Sequence, residues 1–300
     1  MNILNFGSLN LDYVYMVDHF VQPGETISAT SQSVNPGGKG LNQSMALARA
    51  GSKVFHAGCM GVGGESLKVL LSENGVDISF LETVSQLQGN AVIQVVPSGE
   101  NSILLFGGSN QSIGDTQIER TLDAFCQGDW LVLQNEINNL GRIVELASSK
   151  GMKIVLNPSP YDARLDSVDF GKLSWLLVNE VEAAQVANTE DPEDAWTRIH
   201  ARYPELSVLI TLGRKGSIAW QVGADGQIEN VFQPAFRVCA VDTTAAGDTY
   251  TGYFLNGLTG GLPLKECMRR ASMASAISVT RQGAACSIPT YEEVTKALRQ

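Results

Sequence analysis

The sequence has few histidines, no paired cysteines, no long apolar run and a shortage of basic residues, and each lack removes a class of function. The three histidines, His19, His56 and His200, stand far apart. A His-based metal site is therefore not expected, because such sites draw clustered ligands at short spacing. The five cysteines (Cys59, Cys126, Cys239, Cys267 and Cys286) are odd in number and form no CxxC pair. That argues against a disulfide framework and for thiols that simply pack. No stretch approaches the roughly 18 apolar residues that a bilayer-crossing helix needs. The first twenty residues carry Asp12 and Asp18 and no basic segment leading into an apolar run, unlike a secretory signal. A cytoplasmic protein without a membrane partner is expected. With 21 basic against 31 acidic residues the net charge is −10. A protein that tracks nucleic-acid phosphates usually shows a basic face, so no nucleic-acid partner is expected. A local phosphate site built from backbone N–H groups is not excluded. No internal repeat, low-complexity tract or long linker interrupts the chain.

What is present is a chain of 300 residues, 44% apolar and 17% charged, enough for a large buried core. Short β-branched apolar runs (Ile3–Phe6, Val54–Ala57, Trp130–Leu133, Lys153–Leu156, Trp175–Val178, Val208–Thr211) alternate with helical patterns near Asn42–Ala50, Glu65–Glu73, Asp115–Phe125, Leu140–Ser149 and Asn179–Ala187. The alternation predicts βαβ units in a mostly parallel central sheet with helices on both faces, an α/β three-layer Rossmann-like sandwich. Continuous apolar runs such as LVL and KIVL fit strands buried on both sides. Two regions break the rhythm. Tyr13–Val34 holds β-branched and turn residues without a helical period, and Asn90–Phe106 reads as a hairpin, AVIQVV and SILLF about the turn PSGE. Together they predict a small β-sheet, residues 13–34 and 90–106, inserted into an α/β domain made of 1–12, 35–89 and 107–300. It is either a lid over a cleft or an edge extension of the main sheet.

Three segments carry chemistry. DTTAAGDTYTG (Asp242–Gly252) follows a strand-like run, Phe236–Val241, and opens a long helix near Ala246. Small residues Ala245, Ala246 and Gly247 permit close backbone approach, and the unpaired N–H groups of a helix start form an anion site. Asp248 sits in that first turn as an acceptor of protons, or else as a plain helix-start aspartate. NPGGKGLNQS (Asn35–Ser44) combines a glycine turn with Lys39 and Asn42 as donors. It is not a Walker A loop, in which four residues separate the first glycine from Gly-Lys-Ser/Thr. GSLNLD (Gly7–Asp12) follows the first strand and places Asn10 and Asp12 two apart, on one side of an extended segment. Glu136, Asn179 and Glu182, and the run TLGRKGS (Thr211–Ser217), also follow strand-like runs. In an open α/β sheet those carboxyl ends face the ligand crevice. No GxGxxG follows the first strand, which argues against a dinucleotide dehydrogenase.

GSLNLD, PGGKGLNQ, NEVE, TLGRKG and DTTAAGD, in this order and spacing, resemble the ribokinase-like (PfkB) carbohydrate kinases from end to end, most closely the ribokinases. The resemblance implies an ATP-dependent kinase acting on a primary hydroxyl of a small sugar, ribose first. Kinases of the same family for fructose, a keto-deoxy sugar acid or a nucleoside, and a binding protein that kept the fold, are the alternatives. It implies Asp248 as base and the N–H groups of Ala245, Ala246, Gly247 and Asp248 as an anion hole. Asn10, Asp12, Gly38, Lys39, Asn42 and Glu136 match sugar-binding positions. Asn179, Thr211, Gly213, Gly216, Gly247 and Ser272 match nucleotide positions, and Glu182 a Mg²⁺-associated one. Asp242, Thr244, Ser278, Arg281, Gly283 and Ser287 match a monovalent-cation loop that holds K⁺. A homodimer through the β lid is implied as well. Departures from the family pattern are the shortened GVGGE (Gly61–Glu65), Tyr253 after Gly252, and Ser272 near the expected adenine position.

Overall fold

The computed structural model describes residues 1–299. From the N-terminus the elements are β1 (Ile3–Phe6), β2 (Asn10–Met16), β3 (Ser31–Gly37), α1 (Lys39–Arg49), β4 (Val54–Val62), α2 (Glu65–Glu73), β5 (Asp77–Leu87), β6 (Asn90–Val95), β7 (Asn101–Phe106), α3 (Asp115–Asp123), β8 (Trp130–Gln134), α4 (Leu140–Ser149), β9 (Lys153–Asn157), β10 (Trp175–Asn179), α5 (Glu180–Ala187), α6 (Pro192–Arg202), β11 (Ser207–Thr211), β12 (Gly216–Val222), β13 (Ile228–Pro234), α7 (Ala246–Thr259), α8 (Leu264–Ser278) and α9 (Tyr291–Ala297). Nine strands form one sheet in the order β13-β12-β11-β10-β9-β8-β1-β4-β5. It is parallel from β11 to β5, and β12 and β13 close one edge antiparallel.

Strand alternation sorts the core into two layers. Leu4, Leu131, Ile154, Leu176 and Ile210 face a cluster with Ile118, Ile143, Ala183 and Ile199 of α3 to α6. Their chain neighbours Ile3, Val132, Val155, Leu177 and Leu209 face the other way, onto Leu41 of α1, Phe254 of α7 and Met268 of α8. Each large apolar side chain so buried contributes about 1.5–3 kcal/mol. On this second face the apolar pattern breaks toward the carboxyl ends of the strands, in staggered positions, since Asn5 aligns with Val132 rather than with Gln134. Asn5 lies in register with His56, Gln134 with Asn157, and Asn179 with Thr211. A polar row thus crosses the sheet beneath α1 and α7, toward the carboxyl ends of the strands.

The remaining four strands form a separate sheet, β3-β2-β6-β7. It is not an edge extension of the main sheet. The pair β2–β6 is parallel and the other two are antiparallel. β6 and β7 flank a five-residue loop, 96–100, close to the expected hairpin. Asn10 and Asp12 lie on β2, at the root of this sheet, rather than at the tip of β1. One expected strand is absent. Phe236–Val241 pairs with no strand, because β13 stops at Pro234 and the segment that follows is largely exposed. Its backbone is tied to α8 instead, through Val241 N–H donating to Val279 O at 2.7 Å. No helix among the described residues is long and apolar enough to cross a membrane.

Candidate active site

The site forms where three chain segments meet at the carboxyl ends of the parallel strands. The first is the start of α1. Gly38, at φ 91°, caps the helix, a left-handed conformation that glycine adopts freely. A Cβ on Gly40 would lie 2.2 Å from Ser8 N, so this glycine lets α1 press against the Ser8–Asn10 segment. Ser8 Oγ donates to Glu136 Oε2 at 2.5 Å, Lys39 N–H donates to the same oxygen at 2.9 Å, and Gly40 N–H donates to Ser8 Oγ at 3.1 Å. Asn110 Nδ2 donates to Asn10 Oδ1 at 2.7 Å. Asn10, Gly38, Lys39 and Glu136 are thus joined around one corner.

The second segment is the start of α7. Ala245 caps it at φ 58°, a strained conformation for a residue with a side chain. Among the described residues the N–H groups of Gly247 and Asp248 have no backbone acceptor outside the helix. Asp248 is 7% exposed. Its Oδ2 accepts from Asn42 Nδ2 at 3.0 Å and its Oδ1 from Gln43 Nε2 at 2.9 Å. Asn42 Oδ1 is buried without a hydrogen-bond partner. Gln43 was not singled out from sequence, although it follows Asn42 in the same motif.

Charge is concentrated here. Burial pushes the Asp12 carboxyl up from 3.8 to about 7, and the carboxylates of Glu136 and Asp248 push it further the same way. For Lys39 burial opposes the charge, but Asp248, Glu136 and Glu182 together outweigh it and raise the ammonium above its ordinary value. One cation therefore stands among several acids, as a donor that burial alone would not keep charged.

Three cavities surround this arrangement. One of about 180 Å³ is lined by Asn10, Glu136, Phe106 of β7 and three residues that the sequence did not flag, Asn110, Gln111 and Arg164. One of about 240 Å³ is lined by Lys39, Asn157, Asn179, Glu182, Thr211 and Ala245 to Asp248. The third, of about 610 Å³, is lined by Thr211, Gly213, Gly216, Ala246, Gly247, Tyr250 and Ser272, with the strandless segment Ala235–Ala240 as one wall. Thr211, Ala246 and Gly247 border both of the larger cavities. Asn179 and Glu182 form a reciprocal capping box on α5, with Glu182 N–H donating to Asn179 Oδ1 at 2.8 Å and Asn179 N–H to Glu182 Oε2 at 3.1 Å. One oxygen of Glu182 is thereby committed to the fold.

The third segment is the loop after α8. Asp242 Oδ1 accepts from Thr244 N–H at 2.9 Å and Thr244 Oγ at 2.7 Å, and its Oδ2 accepts from Gly283 N–H at 2.9 Å. Burial works to raise this carboxyl, and the donors of Thr244 and Gly283 hold it below the usual range. Asp242, Thr244 and Gly283 therefore meet. The hydroxyls of Ser278 and Ser287 donate to nearby carbonyls, and Arg281 pairs with Glu293 at 2.6 Å. Among the described residues no three His, Cys, Asp or Glu side chains cluster as metal ligands. Tyr253 has a structural use, since its buried hydroxyl donates to Pro289 O at 2.8 Å.

The family model for pfkB family carbohydrate kinases matches residues 2–291. The chain is 36% identical over 302 residues to a ribokinase of Haemophilus influenzae, covering 97% of this chain and 96% of that protein. It superposes with a TM-score of 0.83 on the ribokinase of Cryptococcus neoformans var. grubii in complex with ADP, at 32% identity over 99% of both chains. The TM-score is also 0.83 against Arabidopsis thaliana ribokinase complexed with ribose and ATP, at 27% identity over 99% of this chain and 98% of that one. The chain belongs to the pfkB family of carbohydrate kinases and is an ATP-dependent sugar kinase.

Proposed function

We propose that the protein transfers the γ-phosphoryl group of ATP to the 5-hydroxyl of ribose, with Asp248 as the general base. The observation that supports this most is the placement of Asp248. It is buried at the start of α7 and lines the 240 Å³ cavity, with each carboxylate oxygen held by one amide donor. A carboxylate so fixed accepts the hydroxyl proton as the oxygen attacks, which contributes about 10²- to 10⁴-fold. The N–H groups of Gly247 and Asp248 stabilise charge on the equatorial phosphoryl oxygens, whereas that of Ala246, expected to join them, donates to Thr243 O at 3.2 Å. Lys39 adds a positive charge on the same side. Asn10, Asp12 and Glu136 accept hydrogen bonds from sugar hydroxyls, and the free Asn42 Oδ1 takes another. Gly38 holds the turn that presents them. The 610 Å³ cavity, mostly apolar around Ser272, Gly213 and Gly216, takes the nucleotide base and ribose.

The metal sites follow the donors present. Mg²⁺ binds through phosphates with only one or two carboxylates; the remaining oxygen of Glu182, with Asn179 and Thr211 lining the same cavity, would be the protein's share. Mg²⁺ supplies charge neutralisation on the phosphates when bound. For K⁺ the ionised Asp242, already joined to Thr244 and Gly283, stands with the Ser278–Ser287 loop and Arg281 behind the anion hole. Residues 13–34 and 90–106 act as a lid that excludes water during transfer. Its outer strand β7 exposes Ile103, Leu104, Leu105 and Phe106. An exposed apolar edge strand is a pairing surface, and a second copy of the lid would cover it in a homodimer.

The direct test is ADP release over a panel of ribose, 2-deoxyribose, fructose, keto-deoxy sugar acids and nucleosides, with and without K⁺. Ribose should give the highest kcat/KM, and K⁺ should raise it. A better nucleoside or sugar acid would overturn the ribose assignment, and indifference to K⁺ would overturn the cation loop.

A further inference from the structure

Asp248 does not meet Gln43 as an isolated neighbour. Gln43 is the last member of a chain of three buried amides in which every N–H has an acceptor. Asn5 Nδ2, on β1, donates to Gly40 O at 2.7 Å and Ser44 Oγ at 2.8 Å, both on α1. Gln134 Nε2, at the end of β8, donates to Asn5 Oδ1 at 2.8 Å and to Gln43 Oε1 at 2.8 Å. Gln43 Nε2 donates to Asp248 Oδ1 at 2.9 Å and more weakly to Asn157 Oδ1 at 3.4 Å. All three amides are fully buried. Because Gln134 presents its N–H groups to both carbonyls, Gln43 has only one workable orientation. A flipped Gln43 would set its own oxygen against the carboxylate of Asp248 and its NH₂ against that of Gln134. Each arrangement loses a buried hydrogen bond, which costs about 1–3 kcal/mol.

We infer that Gln43 is a positioning residue for the transfer step: Gln134, itself held by Asn5, locks its amide so that it fixes the rotation of the Asp248 carboxylate toward the attacking hydroxyl. The inference rests on Asp248 being the base. It goes beyond that reading because it assigns a role to three residues that do not reach the substrate. A buried polar row is costly to the extent that it is left unsatisfied; here every amide N–H is paired, while Gln134 Oε1 has no partner. An apolar layer here would be simpler to pack. The polar side chains Asn5, Gln134 and Asn157 interrupt the buried apolar pattern of their strands on this face, along the line of hydrogen bonds that ends at Asp248. A bond to a charged acceptor is also stronger than one between neutral groups, so the end of the row at Asp248 carries its largest single effect. Angular error in a reacting group lowers turnover without a matching loss of binding.

The experiment is steady-state kinetics with D-ribose and ATP on Gln43→Met, Gln134→Met, Asp248→Asn and the double variant Asp248→Asn/Gln43→Met, with thermal melts on each. Methionine keeps the length of glutamine and removes the donor. Gln43→Met should lower kcat about 10-fold with the ribose KM within about twofold of the parent. Gln134→Met, one amide further away, should lower kcat by about threefold with the same unchanged KM. In the Asp248→Asn background Gln43→Met should change kcat by less than about twofold, because a residue that acts through Asp248 has nothing left to position. The inference falls if Gln43→Met keeps parental kcat, if KM rises in proportion, or if the loss is as large without the carboxylate as with it. Should Gln43→Met fail to fold, Gln134→Met decides alone, and parental kinetics there refute the locked row. Parental kcat in Asp248→Asn would instead overturn the base assignment itself.

Discussion

Asp12 should make the free protein less stable as the pH rises through neutrality. Its carboxyl is held at about 7, against 3.8 for an ordinary aspartate, chiefly by burial and then by the like charges of Glu136 and Asp248. Between these two values the folded chain binds a proton at Asp12 that the unfolded chain has already released. The free energy of unfolding therefore falls as pH rises from about 4 to about 7, and levels off above that. A change of this size corresponds to roughly 4 kcal/mol at about 1.4 kcal/mol per pH unit, an upper bound. Asp12→Asn keeps the shape and removes the charge. Urea unfolding at pH 4, 6 and 8 should find the variant and the parent equally stable at pH 4. At pH 8 the variant should be more stable by about 2 kcal/mol or more. Other groups titrate over the same range, but they do so in both proteins and cancel in the difference. A variant no more stable than the parent at pH 8 would refute the reasoning. The same substitution should raise the ribose KM, since an acceptor for sugar hydroxyls is lost. A buried carboxylate that lowers stability for the sake of binding is a common compromise in active sites.

Two glycines separate packing from chemistry. Gly40→Ala places a Cβ 2.2 Å from Ser8 N, a backbone atom that cannot yield cheaply. It should lower stability by about 2 kcal/mol or more in thermal or urea melts and loosen the Ser8–Glu136–Lys39 corner. Gly247→Ala meets nothing within 4 Å and lies in a helix, so the melting temperature should hold. Its methyl group faces the space shared by the two larger cavities, and kcat/KM for ATP should drop by roughly 10-fold.

Much of the fold was readable because hydrophobic period reports burial directly. Glu65–Glu73 and Leu140–Ser149 were bounded as the structure has them, and the expected strand cores lie within β1, β4, β8, β9, β10 and β11. Phe236–Val241 misled for the same reason, since β-branched and aromatic residues in a row resemble a strand whether or not a neighbour is there to pair with. In this chain they line a cavity wall. Asp248, Asn42 and Lys39 stood out through their motifs and Glu136 through its place after an apolar run, and the structure brings Lys39 to Glu136 and Asn42 to Asp248. Gln134 and Asn5 did not, because a polar residue inside an apolar strand says nothing about its lateral neighbours until strand order is known. Gln43, although inside the PGGKGLNQ motif on α1, has its partners Gln134 and Asp248 far away in sequence. Asn5 lies between His56 of β4 and Val132 of β8 in register, and only that adjacency turns separate polar residues into one row. The signal in sequence was the repeated interruption itself: ILNF, VFHAG, WLVLQ and KIVLN place Asn5, His56, Gln134 and Asn157 on the same face, with Lys153 at the exposed start of the last run. Arg164 and Asn110 were missed because they reach the site from loops whose path no periodicity encodes.

The central claim is that Asp248 takes the proton of the attacking hydroxyl. The measurement that bears on it most directly is kcat and ribose affinity for Asp248→Asn, which keeps the side chain's shape and removes its capacity as a base. The account predicts kcat lower by roughly 10²-fold or more with ribose binding nearly unchanged. Near-parental kcat in that variant would contradict it.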